Sequence, residues 1–186
     1  METGKQVNSM KTRLLLGNIC LAALVLAGCA SKLKVFRSAA GNFSVKAPVL
    51  LAEQSQPIDA SGGKLEAHTY LAENDDIVYV AAYTTFSAEL IASSDSEEQL
   101  NNARDSMVQS VGGILLLETR QPLGDYPGRE LVVNILLSDG TDGIMKARVY
   151  LVKNRLYQVM VLVPRTEMED ESITNFLESF KLIEEP

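Results

Sequence analysis

Between Ile114 and Val163 the chain presents four strand-like runs with no helix between them. They are Ile114–Gln121, Arg129–Leu137, Ile144–Val152 and Arg155–Val163. Asp139-Gly140, Asp142-Gly143 and Lys153-Asn154 supply turn chemistry, since these residues tolerate tight or left-handed backbone. Parallel strands need crossovers of a dozen or more residues, which are missing here, so the runs must pair antiparallel. A doubly wound parallel sheet with a nucleotide at its switch point is thereby excluded. Gly112-Gly113 does not restore it, because the pair follows a helix rather than opening one.

The rest of the body fits the same plan. Phe43-Ser44-Val45-Lys46 alternates apolar and polar and stops at Pro48, as a first strand would. Residues 49–53 continue towards a second, and Pro57 and Ser61-Gly62-Gly63 mark turns. Lys64–Ala72 and Ile77–Phe86 form a hairpin across Asn74-Asp75-Asp76, with Leu65, Ala67, Thr69 and Leu71 expected on one face. A helix is expected after a capping box at Ser94–Glu97, with Leu100, Ala103, Met107 and Val111 at helical spacing and Gly112-Gly113 ending it. A second helix spans about Glu169 to Phe180, with Ile173, Phe176, Leu177 and Phe180 as its stripe and three acids at its positive end. Strands, helix, strands, helix without regular alternation predicts an α+β fold on an antiparallel sheet.

The N-terminus is an address. Lys11 and Arg13 precede an apolar stretch from Leu14 to Leu26, 13 residues long. Spanning a bilayer takes about 20, so the stretch fits the core of a secretory signal. It ends in Leu26-Ala27-Gly28-Cys29, which resembles a bacterial lipobox. That resemblance implies cleavage between Gly28 and Cys29 and acylation of the Cys29 thiol, with diacylglycerol and palmitate-type chains. Met10 is a plausible alternative start. The expected organisation is a removed signal peptide over 1–28, a lipidated tether over 29–41 and a folded domain over 42–186. Ala30 after the Cys resembles the outer-membrane sorting pattern of enteric lipoproteins.

Composition then narrows the function. The 186 residues carry 17 basic and 24 acidic side chains, net −7. Three basic residues and one acidic residue leave with the signal segment, so the mature body is near −9. Such a body is repelled by phosphate backbones and anionic headgroups, which argues against a nucleic-acid partner and leaves membrane attachment to the acyl chains. Cys20 goes with the signal and Cys29 is consumed by the lipid, so no thiol chemistry remains.

His68, the single histidine, has no thiol to pair with and is read as a solvent-facing strand residue. Asp139 and Asp142 lack the later Glu of a calcium loop, and with Asp75-Asp76 they read as turns. No metal site, cofactor or catalytic residue is expected. Pro127-Gly128 is read as a type II turn, with Arg129 and Glu130 on opposite faces of the following strand. Tyr126 and Arg129 are candidate partner contacts. Lys146, Arg148 and Tyr150 share one strand face opposite Met145, Ala147, Val149 and Leu151. If uncovered they form a basic, aromatic patch for an acidic partner or ligand; otherwise they make cross-strand pairs with carboxylates.

Gly41-Asn42-Phe43-Ser44-Val45-Lys46-Ala47-Pro48 resembles the start of PsbP-like domains. Tyr126-Pro127-Gly128-Arg129-Glu130, Arg148–Val152 with Arg155–Gln158, and Phe176–Lys181 resemble their later segments. The resemblance covers about 42–183 and implies an α-β-α sandwich around an antiparallel sheet. It also implies a binding or assembly role rather than a reaction. The expected function is therefore a non-enzymatic, lipid-anchored extracytoplasmic protein that binds or assists another membrane or envelope complex, with a protein partner in the envelope. The alternative is a small-ligand or metal-binding envelope lipoprotein.

Overall fold

The computed structural model describes residues 33–54, 56–60, 63–93 and 95–183. The expected signal segment, Cys29, the first residues of the expected tether, Ser61-Gly62 and Ser94 lie outside them.

The chain opens with a hairpin of β1 (Lys34–Ser38) and β2 (Phe43–Ala47), in which Ser38 pairs with Phe43 and Lys34 with Ala47. Lys34–Ser38 was expected within the tether, and the structure corrects this. Phe36 points inward and its ring centroid lies 4.7 Å from Tyr70 and 6.1 Å from Phe43. Ser38 Oγ lies 2.9 Å from the Tyr70 hydroxyl. The basic residues around Phe36 disguise a strand that supplies one ring and one hydroxyl to the core. In β2, Phe43, Val45 and Ala47 are fully buried, while Ser44 and Lys46 face away. The C-terminal β11 (Lys181–Leu182) pairs with the other edge of β2, completing a three-stranded sheet.

The large sheet is antiparallel throughout. Its spine runs β5 (Gly63–Asn74), β6 (Ile77–Thr85), β10 (Arg155–Pro164), β9 (Asp142–Val152), β8 (Gly128–Leu136) and β7 (Ile114–Arg120), with β7 at the edge. Two short strands, β3 (Ala52–Glu53) and β4 (Gln56–Ala60), pair with β5. The four runs expected from Ile114 onward are all strands.

Helix α2 (Ser96–Ser110) packs on one face of this sheet. Its Leu100, Ala103 and Met107 meet Leu131, Val133, Met145 and Ala147. The helix starts later than expected. Its N-cap is Asp95, which makes no side-chain capping bond, so Glu97 sits in the first turn and is free to serve elsewhere. Gly112 ends it at φ +58°, the left-handed conformation glycine adopts without a Cβ penalty. A short helix, α1 (Ala88–Ser93), joins β6 to this region.

The opposite face is covered by the small sheet and by α3 (Glu171–Glu178), which follows a 3₁₀ turn at Arg165–Glu167. Ile173, Phe176 and Leu177 from α3, with Phe180 beyond it, join Phe43, Tyr79, Tyr83, Tyr157 and Val161 in one buried cluster. The layers are thus α2, the large sheet, then the small sheet with α3. The fold is α+β on an antiparallel sheet, as the order of elements predicts.

Candidate functional site

The five candidate contact residues do not share one surface. Arg129 and Glu130 point to opposite faces as expected, and each is claimed by its own layer. Arg129 is 9% exposed. Its guanidinium donates to Glu97 Oε2 at 2.7 Å, to Asn101 Oδ1 at 2.7 Å and to Glu118 Oε1. Arg104 from α2 reaches the same Glu118 at 3.0 Å and Asp105 at 2.8 Å. Burial pushes the Glu118 carboxyl up, but the hydrogen bonds from Arg104 and Arg129 outweigh it and hold the group below its usual range. The Asp105 bond, then Glu118, push Arg104 up. This network ties α2 to β7 and β8, so Arg129 is a structural clamp. Its partners were missed in the sequence, although Glu97, Asn101 and Arg104 recur at helical spacing along α2.

On the other face, Lys146, Arg148 and Tyr150 do align, but α3 and the segments beside it cover them. Arg148 Nε donates to Glu130 Oε2 at 2.6 Å, and the two residues are cross-strand partners. Its Nη1 donates to the Leu177 carbonyl at 3.3 Å. Lys146 Nζ donates to the Met168 carbonyl at 2.7 Å. Tyr150 is 3% exposed and stacks on Phe180 at 5.5 Å. Of the two alternatives, the structure shows the covered one: Arg148 makes the cross-strand pair with Glu130, and Arg148 and Lys146 also meet carbonyls of the covering layer.

Tyr126 sits at one end of the large sheet. The turn there is not Pro127-Gly128. Leu123 and Tyr126 exchange backbone bonds of 3.0 and 3.1 Å around Gly124-Asp125, with Gly124 at φ +60°. Glycine at the first central position is what a type II′ turn requires. Gly128 serves close approach instead, since a Cβ there would lie 2.5 Å from the Gln121 carbonyl oxygen and 2.5 Å from the Tyr150 ring. Half-buried Tyr126 borders a cavity of about 460 Å³ with Asn42, Lys153, Arg155, Tyr157 and Leu182. Arg155 donates to the Ala40 carbonyl at 3.0 Å and lies 5.3 Å from the Tyr83 ring centre.

His68 was expected to face solvent. It lies instead on the same face as buried Tyr70 and Ala72, because that face of β5 looks towards the aromatic cluster. Its ring stacks on Tyr83 at 4.6 Å and its Nδ1 lies 3.3 Å from Glu53 Oε1. The Asp139 carboxylate accepts from the Thr141 amide and hydroxyl at 2.9 and 2.7 Å, so it builds the β8–β9 turn. Among the described residues, no three His, Cys, Asp or Glu side chains cluster as metal ligands, and no helix is long and apolar enough to cross a membrane.

At the other end of the large sheet lies a wider groove, of about 1170 Å³. The end of α2, the start of β6, the β8–β9 turn and the Arg165–Glu167 segment border it. Its lining includes the apolar Val78, Val111, Leu137 and Leu162, all half-buried, and Leu136, which is 68% exposed. A partial signal of it is visible in the chain, where apolar Leu136-Leu137 runs straight into turn residues.

The chain matches no family model and no curated protein. Among solved structures, it superimposes on cyanobacterial PsbP (CyanoP) from Synechocystis sp. PCC 6803 with a TM-score of 0.54. The match covers 87% of this chain and 98% of that one, at 11% identity. The fold is PsbP-like. A looser likeness, TM-score 0.43 at 6% identity, covers 73% of this chain and 85% of PA94, a protein of unknown function from Pseudomonas aeruginosa. Gly41 is buried where a Cβ would fall 2.7–2.8 Å from the Phe43 and Tyr83 rings, and Asn42 turns the chain at φ 52° into the buried strand β2.

Proposed function

We propose that the protein is a non-enzymatic factor, held on the extracytoplasmic side of a membrane by acyl chains on Cys29, that binds or helps to assemble another membrane or envelope complex. The observation that carries this is the order at the N-terminus: positive charge, a 13-residue apolar run, then Leu26-Ala27-Gly28-Cys29. The PsbP-like body supports the binding half of the reading. Arg129 and Arg148 are engaged in holding layers together, and His68 is engaged within the large sheet. Two acyl chains or more anchor far more firmly than one, so the folded domain need not touch lipid to stay at the membrane.

Cys29→Ser should abolish metabolic labelling with a fatty acid and move the protein from the membrane fraction to the soluble extracytoplasmic fraction. Unchanged labelling would refute the anchor. Affinity capture of the detergent-solubilised lipidated protein should bring down a defined envelope complex. A second reading, a small-ligand lipoprotein, draws on the cavity beside Tyr126, where Lys153 and Arg155 suit an anionic ligand.

A further inference from the structure

The groove at the far end of the sheet combines two properties seldom found together on an acidic body. Its apolar lining is accessible: Val78, Val111, Leu137 and Leu162 are only half-buried, and Leu136 stands 68% exposed beside them. An apolar surface left open and rimmed by polar groups marks an interaction site. The rim is anionic, with Asp76, Asp139, Asp142 and Glu167 against one cation, Arg165. Arg165 donates to Asn134. Asp139 is held below its usual range by the Thr141 amide and hydroxyl, which keeps it charged. Helix α2 ends at the groove through Ser110 and Val111, with no basic residue in its last turn to offset the negative pole of its dipole.

We propose that this groove docks a cationic segment with an apolar face, belonging to another polypeptide; the proposal rests on reading the protein as a binding factor and names the chemistry of its partner. Charge decides the occupant. A second copy brings the same acidic surplus and the same anionic rim, and an anionic lipid or nucleic acid is repelled by four carboxylates. A segment with lysines or arginines beside leucine-like side chains satisfies both the rim and the lining, and complementary charge speeds its encounter. At about 1170 Å³ the space is larger than most small-molecule sites and suits a peptide.

The test titrates a labelled synthetic peptide, leucines on one helical face and lysines on the other, into the detergent-solubilised full chain, with detergent alone as blank. Two controls replace the lysines by glutamates or the leucines by serines. The lysine–leucine peptide is expected to bind at least about tenfold more tightly than either control. Added salt should weaken it. The double variant Asp142→Lys/Glu167→Lys, with an unchanged unfolding temperature, should remove the preference, whereas Asp125→Lys at the opposite end of the sheet should not. Equal binding of the serine peptide would overturn the proposal by showing indiscriminate cation attraction. Undiminished binding to the double variant would overturn it too, as would a dimer that occludes the groove. If the peptide fails while affinity capture yields a complex, the groove is refuted and the binding role stands. If peptide binding holds while Cys29→Ser leaves labelling unchanged, the membrane anchor is refuted and the groove stands.

Discussion

One face of the large sheet is fastened at its margin mainly by ions, and the other is held mainly by rings. On the first, α2 covers aliphatic side chains and is fastened at its margin by Arg129, Arg104, Glu97 and Glu118. On the second, Phe43 touches Phe36, Tyr70, Tyr83, Tyr157 and Phe180 at centroid distances of 5.5–6.3 Å. Both solutions attach a layer to the same strands, yet they respond to different variables. Ring packing follows buried area and geometry and does not depend on pH. The ionic margin exists only while its carboxylates are charged. Acid should therefore act on α2 through its fastening, whereas on the α3 side it reaches the Arg148–Glu130 pair and the Asp170 cap but leaves the rings in place.

The largest effect should come from breaking the ring side at its hub. Phe43→Ala removes a fully buried ring and leaves five aromatic neighbours around a cavity. A loss of about 4 kcal/mol is expected, within the range for buried Phe→Ala. Urea unfolding measures it. The loss should be the same at pH 7 and pH 5, and a loss below about 1 kcal/mol would show that the cluster collapses around the gap.

The ionic side should lose less. Arg129→Met keeps the apolar stem but removes the shared donor. Its two carboxylate partners are 23% and 47% exposed, so water rescues part of the damage. The cost should be about 2 kcal/mol, below that of a fully buried pair. The pH dependence sharpens the contrast. Glu118 is held below the usual carboxylate range, so its contribution is complete above that range and is lost as pH falls through the lower folded value. Wild type should therefore lose stability below about pH 4.5, and Arg129→Met should lose less over the same range. Parallel acid profiles for the two proteins would contradict an ionic clamp centred on Arg129.

What the sequence revealed follows the same division. Alternation along β2 and the strand run from Ile114 to Val163 expose the sheet directly, because period-two burial is written residue by residue. The stripe Leu100, Ala103, Met107 exposes α2 for the same reason. The ionic side is less legible. Arg129 reads as a loose surface residue until α2 brings Glu97 and Asn101 over it from 32 and 28 positions away. Tyr150 and Arg148 look available because no local pattern shows that α3 and Phe180 return to cover them. β1 hides because Lys34 and Arg37 flank the one ring it contributes. The turn at Gly124-Asp125 was within reach, since glycine before aspartate fits a two-residue hairpin, but the neighbouring Pro127-Gly128 imitates a commoner turn. Tertiary contacts decide each of these, and they are absent from a local window.

The smallest effect compares how the two covering helices begin. At α3 the Asp170 carboxylate accepts from the Ser172 amide at 2.7 Å, and the Ser172 hydroxyl in turn lies 2.7 Å from the Tyr79 hydroxyl. Bonds from the Ser172 side chain and amide hold Asp170 below its usual range. At α2 the equivalent Asp95 makes no capping bond. Asp170→Ala should cost about 1 kcal/mol, the usual value of an N-cap, and Asp95→Ala only a few tenths. Thermal unfolding of the two variants at one pH separates them. If Asp95→Ala cost as much as Asp170→Ala, α2 would depend on its cap rather than on Arg129, and the ionic margin would lose its place as the fastening of that face.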